Sequence, residues 1–128
     1  MKSFLLIISL FFAATIANAD DANHKLSGKW NLKVIYNLYF HDIEKAKEGE
    51  YYLFEDGKLT IVGIDGKPVT YDYTQNGNIF SYDLWFHTEV FEIVEHTKNE
   101  LILNVYNIEK GAEFVEGIEP VLKMHFER

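Results

Sequence analysis

The sequence predicts an all-β protein, a small eight-stranded antiparallel up-and-down barrel that follows a cleaved amino-terminal signal peptide. Three observations carry that expectation. Apolar and polar residues alternate with a period of two along several short segments, as half-buried strands require. Asp-Gly and Asn-Gly pairs stand between those segments, and such pairs accept the positive φ values of tight hairpin turns. The chain holds 20 aromatic residues, of which only Phe4, Phe11 and Phe12 precede Ala19, so the remainder is dense in side chains that favour strands.

The first strand begins at Trp30. Trp30, Leu32, Val34 and Tyr36 fall on one face, and Asn31, Lys33, Ile35 and Asn37 on the other. From Leu38 to Gly49 the alternation breaks, and Tyr39, Ile43 and Ala46 with charges between them suit either a short helix or a mobile connection. Tyr51 to Phe54 and Leu59 to Ile64 form the next two strands, joined through Asp56-Gly57. Val69, Tyr71 and Tyr73 alternate with polar residues between Asp65-Gly66 and Asn76-Gly77, and Phe80, Tyr82, Leu84 and Phe86 follow. Phe91 and Ile93 lie in a strand that ends near Thr97, where Lys98-Asn99 turns the chain into Leu101, Leu103 and Val105. A looser stretch with Gly111 and Gly117 precedes the last strand, with Leu122, Met124 and Phe126 on one face. Closing such a meander removes its exposed edges, and eight strands enclose a space that side chains fill or that holds one small ligand.

The amino terminus reads as an export signal. Lys2 precedes the apolar run Phe4 to Ala14, and Ala17 and Ala19 supply small residues at −3 and −1, so cleavage is expected after Ala19. The run is too short for a stable membrane anchor, and Asp20-Asp21 follows at once. Residues 1–19 are therefore the signal and 20–128 one barrel domain, periplasmic or secreted. Cysteine is absent, which excludes disulfides and a lipidated amino terminus. Losing Lys2 leaves 11 basic against 20 acidic side chains, a net charge of −9, and so acidic a domain repels nucleic acid and anionic lipid.

Leu26-Ser27-Gly28-Lys29-Trp30 resembles the Gly-x-Trp signature that opens lipocalins, and His125-Phe126-Glu127-Arg128 is similar to the closing segment of short bacterial lipocalin-like domains. The resemblance implies a lipocalin-like barrel with structural roles for Gly28, Trp30 and Arg128. The arginine would stack across the indole at the closed end, an interaction of about 0.5 to 2 kcal/mol. The chain departs from full-length lipocalins in its shorter length, in lacking their carboxy-terminal helix and in having no clear Thr-Asp-Tyr motif.

Candidate chemistry is sparse. The histidines His24, His41, His87, His96 and His125 read as surface residues, with His96 and His125 on polar strand faces, and no metal site or cofactor is expected. His87 stands near enough to Glu89 for a carboxylate contact, but no serine has a nucleophile context. No loop carries spaced oxygen ligands for calcium, so no catalytic residue is expected and the protein is not read as an enzyme. The inward set read from alternation is Tyr36, Tyr71, Tyr73, Phe80, Tyr82, Phe86, Phe91 and Phe126. Of these, Tyr36, Tyr71, Tyr73, Tyr82 and Phe91 are the candidate lining for a small apolar ligand. Rings of this size fill most of so narrow an interior, so only a small or flat ligand would fit, with residues 38–49 as a lid. The competing readings are an acidic interaction module that meets a basic protein partner, and an enzyme, which would require a cleft where His87 and an acid converge.

Overall fold

The computed structural model describes residues 25–110, 112–115 and 117–128. The expected signal, its cleavage point and His24 lie outside the described residues. Ten strands form one antiparallel sheet: β1 (Gly28–Asn37), β2 (Asp42–Lys45), β3 (Tyr51–Glu55), β4 (Lys58–Val62), β5 (Pro68–Asp72), β6 (Thr74–Asn76), β7 (Ile79–Asp83), β8 (His87–His96), β9 (Glu100–Glu109) and β10 (Leu122–Glu127). Nine of them run in the order β5-β4-β3-β1-β10-β9-β8-β7-β6, a nearly closed barrel, and β2 pairs with β1 off that path.

The difference from eight strands has two local causes. The fourth expected strand breaks at Tyr73, whose N–H is bound by the Gly57 carbonyl at 3.5 Å, so that its first part pairs with β4 and its second with β7. The stretch after Leu38 is neither a helix nor an unpaired lid. Asn37 Oδ1 accepts the N–H groups of Tyr39 and Phe40 at 3.1 and 3.0 Å, and the chain folds back as β2 along Val34 to Asn37. One edge of β1 is thus shared, its first half by β3 and its second by β2.

The Asp-Gly turn between β3 and β4 has the required geometry, with φ of 55° at Asp56 and 76° at Gly57. At Lys98-Asn99 the Thr97 hydroxyl accepts the N–H groups of Asn99 and Glu100 at 3.3 and 3.0 Å, which closes the β8–β9 hairpin.

Two bulges reverse side-chain directions that alternation assigns. Between Leu32 and Val34 the register of β1 on β10 shifts by one, so Leu32 lies opposite Phe126 but Val34 opposite His125 and Tyr36 opposite Lys123. Ile35 therefore packs against the core, and Tyr36 faces the outside, where it borders an open groove of about 390 Å³ with Leu38, Ile102, Lys123 and His125. A second bulge between Ile93 and Glu95 turns His96 inward beside Leu101, where its ring meets Trp30 edge-on at 5.7 Å. Phe86 also departs from the inward set. The Leu84 N–H binds the His87 carbonyl at 2.8 Å, which leaves Trp85 and Phe86 at the hairpin tip, 90% and 72% exposed.

The core fills the half of the barrel that contains Trp30. Phe80 and Phe91 stack at 4.6 Å, Phe54 meets Phe80 edge-on at 5.5 Å, and Tyr52 packs on Phe126 at 4.8 Å. Outside the barrel, Phe114 packs on Tyr106 at 4.8 Å, so the stretch after β9 covers part of the sheet's outer face without a helix.

At the closed end the guanidinium of Arg128 lies 3.8 Å from the centroid of the fully buried Trp30 ring. Its Nη1 donates to the Ser27 carbonyl at 2.7 Å and its Nε to the Lys98 carbonyl at 3.1 Å, tying the segment before β1 to the β8–β9 turn. Gly28 has φ of 85°, which strains any other residue, and a Cβ there would stand 3.0 Å from Arg128 Nη1 and press on the guanidinium.

Burial raises the Tyr52 and Tyr82 hydroxyls well above the ordinary value of 10.0, and for Tyr52 the nearby Glu89 charge adds to it. The unfolded chain ionises these groups near their ordinary value, so their contribution to stability is complete below that pH and is lost as pH rises past it. Alkaline titration is expected to show tyrosinate absorbance from these rings only together with cooperative loss of the β-sheet circular dichroism signal. Ionisation of all tyrosines while the sheet persists would contradict their burial.

Candidate functional site: the mouth of the barrel

The strand registers place the turns that follow β1, β4, β7 and β9 at the end of the barrel opposite Trp30. Exposed apolar side chains gather there: Tyr39, Phe40 and Ile43, then Ile64 and Val69, Trp85 and Phe86, and Val115 and Ile118. Within this rim the inward positions Ile35, Ile61, Leu84 and Leu122 pack against the core yet remain only partly buried. In the half below, Phe80, Phe126, Leu101 and Leu103 have no exposed surface. The interior is therefore filled by aromatic rings at the Trp30 end and only partly covered, by apolar side chains, at the mouth.

Its wall carries a small polar set. Tyr82 of β7 and Glu89 of β8 are direct cross-strand partners, and Glu89 precedes the buried Phe91 by two residues, so both side chains point inward. His87 Nε2 and Glu89 Oε2 lie 3.0 Å apart, with 23% and 18% of their side chains exposed. Burial raises the Glu89 carboxyl above the ordinary range, and the hydrogen bond and charge of His87 oppose that shift. Tyr71 stacks on Tyr82 at 4.2 Å with ring planes 17° apart, which closes by side chains the gap between β5 and β7. Tyr52 forms part of the filled end, where its hydroxyl donates to Met124 Sδ at 3.7 Å.

Of the candidate lining residues, Tyr71, Tyr82 and Phe91 pack together below the mouth, Tyr82 against Tyr71 at 4.2 Å and against Phe91 at 5.7 Å. Tyr73 does not, because it packs lower in the barrel against Phe54 and Phe80 at 5.6 and 5.8 Å. Tyr36 is on the outer face, as its register with Lys123 requires. Sequence reasoning missed Ile35, which the β1 bulge turns inward, and the inward direction of Glu89, which the period of two from Phe91 could have found. The Thr88 hydroxyl, between His87 and Glu89 in sequence, is turned outward and donates to Asp83 Oδ1 at 2.7 Å, away from the pair. The mouth thus combines partly exposed apolar side chains with one carboxylate and its histidine partner.

A nearly closed antiparallel barrel whose first and last strands pair, with an arginine stacked on a buried tryptophan at one end, defines a lipocalin-like fold. Solved structures agree. The chain is similar to a lipocalin-like protein from Bacteroides uniformis, with 20% identity, a TM-score of 0.53, and coverage of 80% of this chain and 97% of that one. It is also similar to an uncharacterized protein from Bacteroides eggerthii, with 15% identity, a TM-score of 0.50, and coverage of 80% and 98%. No protein-family model matches the sequence, and neither does any curated protein. At these identities the likeness is one of fold.

Proposed function

We propose that this protein is an exported, non-catalytic binder of a small apolar ligand, which it holds in a shallow apolar cup at the barrel mouth. The observation that carries this reading is the division of the interior. Inward apolar side chains are closed off around Phe80 and Phe91 but partly open around Ile35 and Leu122. The solid floor limits the ligand to a small or flat molecule, and Glu89, His87 and the Tyr71 and Tyr82 hydroxyls supply the few polar contacts that orient it.

Titration with a neutral naphthylamine fluorophore is expected to show saturable binding at one probe per protein. Leu122→Arg places a charge on the cup wall and is expected to weaken that binding about tenfold or more, a change of about 1.4 kcal/mol. Absence of saturable binding, or identical binding by the variant, would count against the cup. Export is tested separately by the mass of the protein recovered from the extracytoplasmic fraction of its source. A chain beginning at Asp20 is expected, and one that retains Met1 contradicts it.

A further inference from the structure

Away from the mouth, on the outer face of β9 and β10, three metal-binding side chains converge. His125 and Glu127 share one face of β10, and the ladder sets Glu127 directly opposite Glu100 of β9. His125 Nε2 lies 3.7 Å from Glu100 Oε2 and 3.8 Å from Glu127 Oε2, and the three donor atoms all fall within 4.8 Å of one another.

Two features of this cluster are unfavourable as they stand. The His125 Nε2 atom is shielded from solvent and has no hydrogen-bond partner, since both carboxylate oxygens are beyond hydrogen-bond reach. Glu100 and Glu127 are like charges in a direct cross-strand pair, an arrangement that destabilises a sheet. A cation between the three donors would satisfy the nitrogen lone pair and neutralise the two carboxylates together.

The donor set selects the kind of cation. One imidazole and two carboxylates suit zinc and its neighbours, whereas calcium and magnesium take oxygen ligands in larger number. Zinc bonds to nitrogen and oxygen of roughly 2.0 to 2.2 Å in a tetrahedron place the donors about 3.4 Å apart, so the two His125 distances of 3.7 and 3.8 Å need to close by only a few tenths of an ångström, while the two carboxylate oxygens, within 4.8 Å of each other, would be drawn together by the cation. The two carboxylates are 44% and 47% exposed, which leaves a cation a path in and water a coordination position. The frame is firm. The ladder from Leu122 to Glu127 is unbroken on β9, and the next residue, Arg128, is held by its N–H on the Asn99 carbonyl at 3.0 Å.

We propose that Glu100, His125 and Glu127 bind one divalent cation of the zinc type, which staples β9 to β10 near the closed end of the barrel. The test is titration of metal-stripped, untagged mature protein with zinc by calorimetry and with cobalt(II) by visible absorption. The expected result is one equivalent bound, a cobalt band characteristic of four-coordination and a higher melting temperature with zinc. His125→Ala is expected to weaken zinc binding at least about tenfold while His41→Ala, at an exposed turn, leaves it unchanged. Should His125→Ala lose its sheet signal in circular dichroism, Glu100→Gln carries the same comparison. Absence of stoichiometric binding, or zinc binding that survives both His125→Ala and Glu100→Gln, would overturn the proposal.

Discussion

Trp30→Ala is expected to lower the melting temperature by more than about 10 °C. Removing a fully buried aromatic side chain costs roughly 3 to 5 kcal/mol through lost transfer energy and the cavity left behind, and in a domain near 100 residues each kcal/mol shifts the midpoint by about 4 to 8 °C. Trp30 has no exposed surface, it is covered by the Arg128 guanidinium at 3.8 Å, and it meets the His96 ring at 5.7 Å. No disulfide is available to offset the loss, because the chain has no cysteine. A double-mutant cycle with Arg128→Ala separates the stacking from the burial, and a coupling of about 0.5 to 2 kcal/mol is expected. Arg128→Lys should recover little, because the guanidinium also spans the Ser27 and Lys98 carbonyls with a planar fork that an ammonium cannot reproduce. A melting temperature unchanged by Trp30→Ala would contradict the packing of β1 against β10.

The second large effect is expected at Phe91. Its ring is 1% exposed, stacks on Phe80 at 4.6 Å with planes 4° apart, and touches Tyr82 and Tyr52 at 5.7 and 6.2 Å. Phe91→Ala should cost roughly 3 to 5 kcal/mol in denaturant-induced unfolding. It also removes part of the floor beneath the cup. The variant is therefore expected to take the neutral fluorophore or benzene more tightly than the parent, because an apolar cavity lined by rings and aliphatic side chains stays dry and admits apolar guests. A loss of stability below about 1 kcal/mol would mean that the interior is loosely packed, contrary to the filled floor described above.

Strand positions and turns follow from local chemistry. Asp56-Gly57 marks its own turn because few other pairs accept two positive φ values, and the alternation of Phe80 and Tyr82 with polar residues shows one wet and one dry face. The reversed directions of Ile35, Tyr36 and His96 share one cause. A bulge adds one residue to a strand, and whether it occurs depends on the partner strand, so neither the inward turn of Ile35 nor that of His96 is visible in the local pattern. Tyr36 falls outside for the same reason, since alternation extrapolated past Lys33 gives the wrong face.

The sequence by itself determined an all-β barrel and the places where its hairpins turn, because these are set by side-chain period and backbone freedom, and its resemblance to lipocalins pointed to the glycine, tryptophan and arginine of the closed end. Only the tertiary structure decided how far the rings fill the interior, that Glu89 stands inside the mouth opposite Tyr82, and that Glu100, His125 and Glu127 converge outside it. Those outcomes depend on registers between strands, and a register is a relation between two segments that neither segment encodes alone.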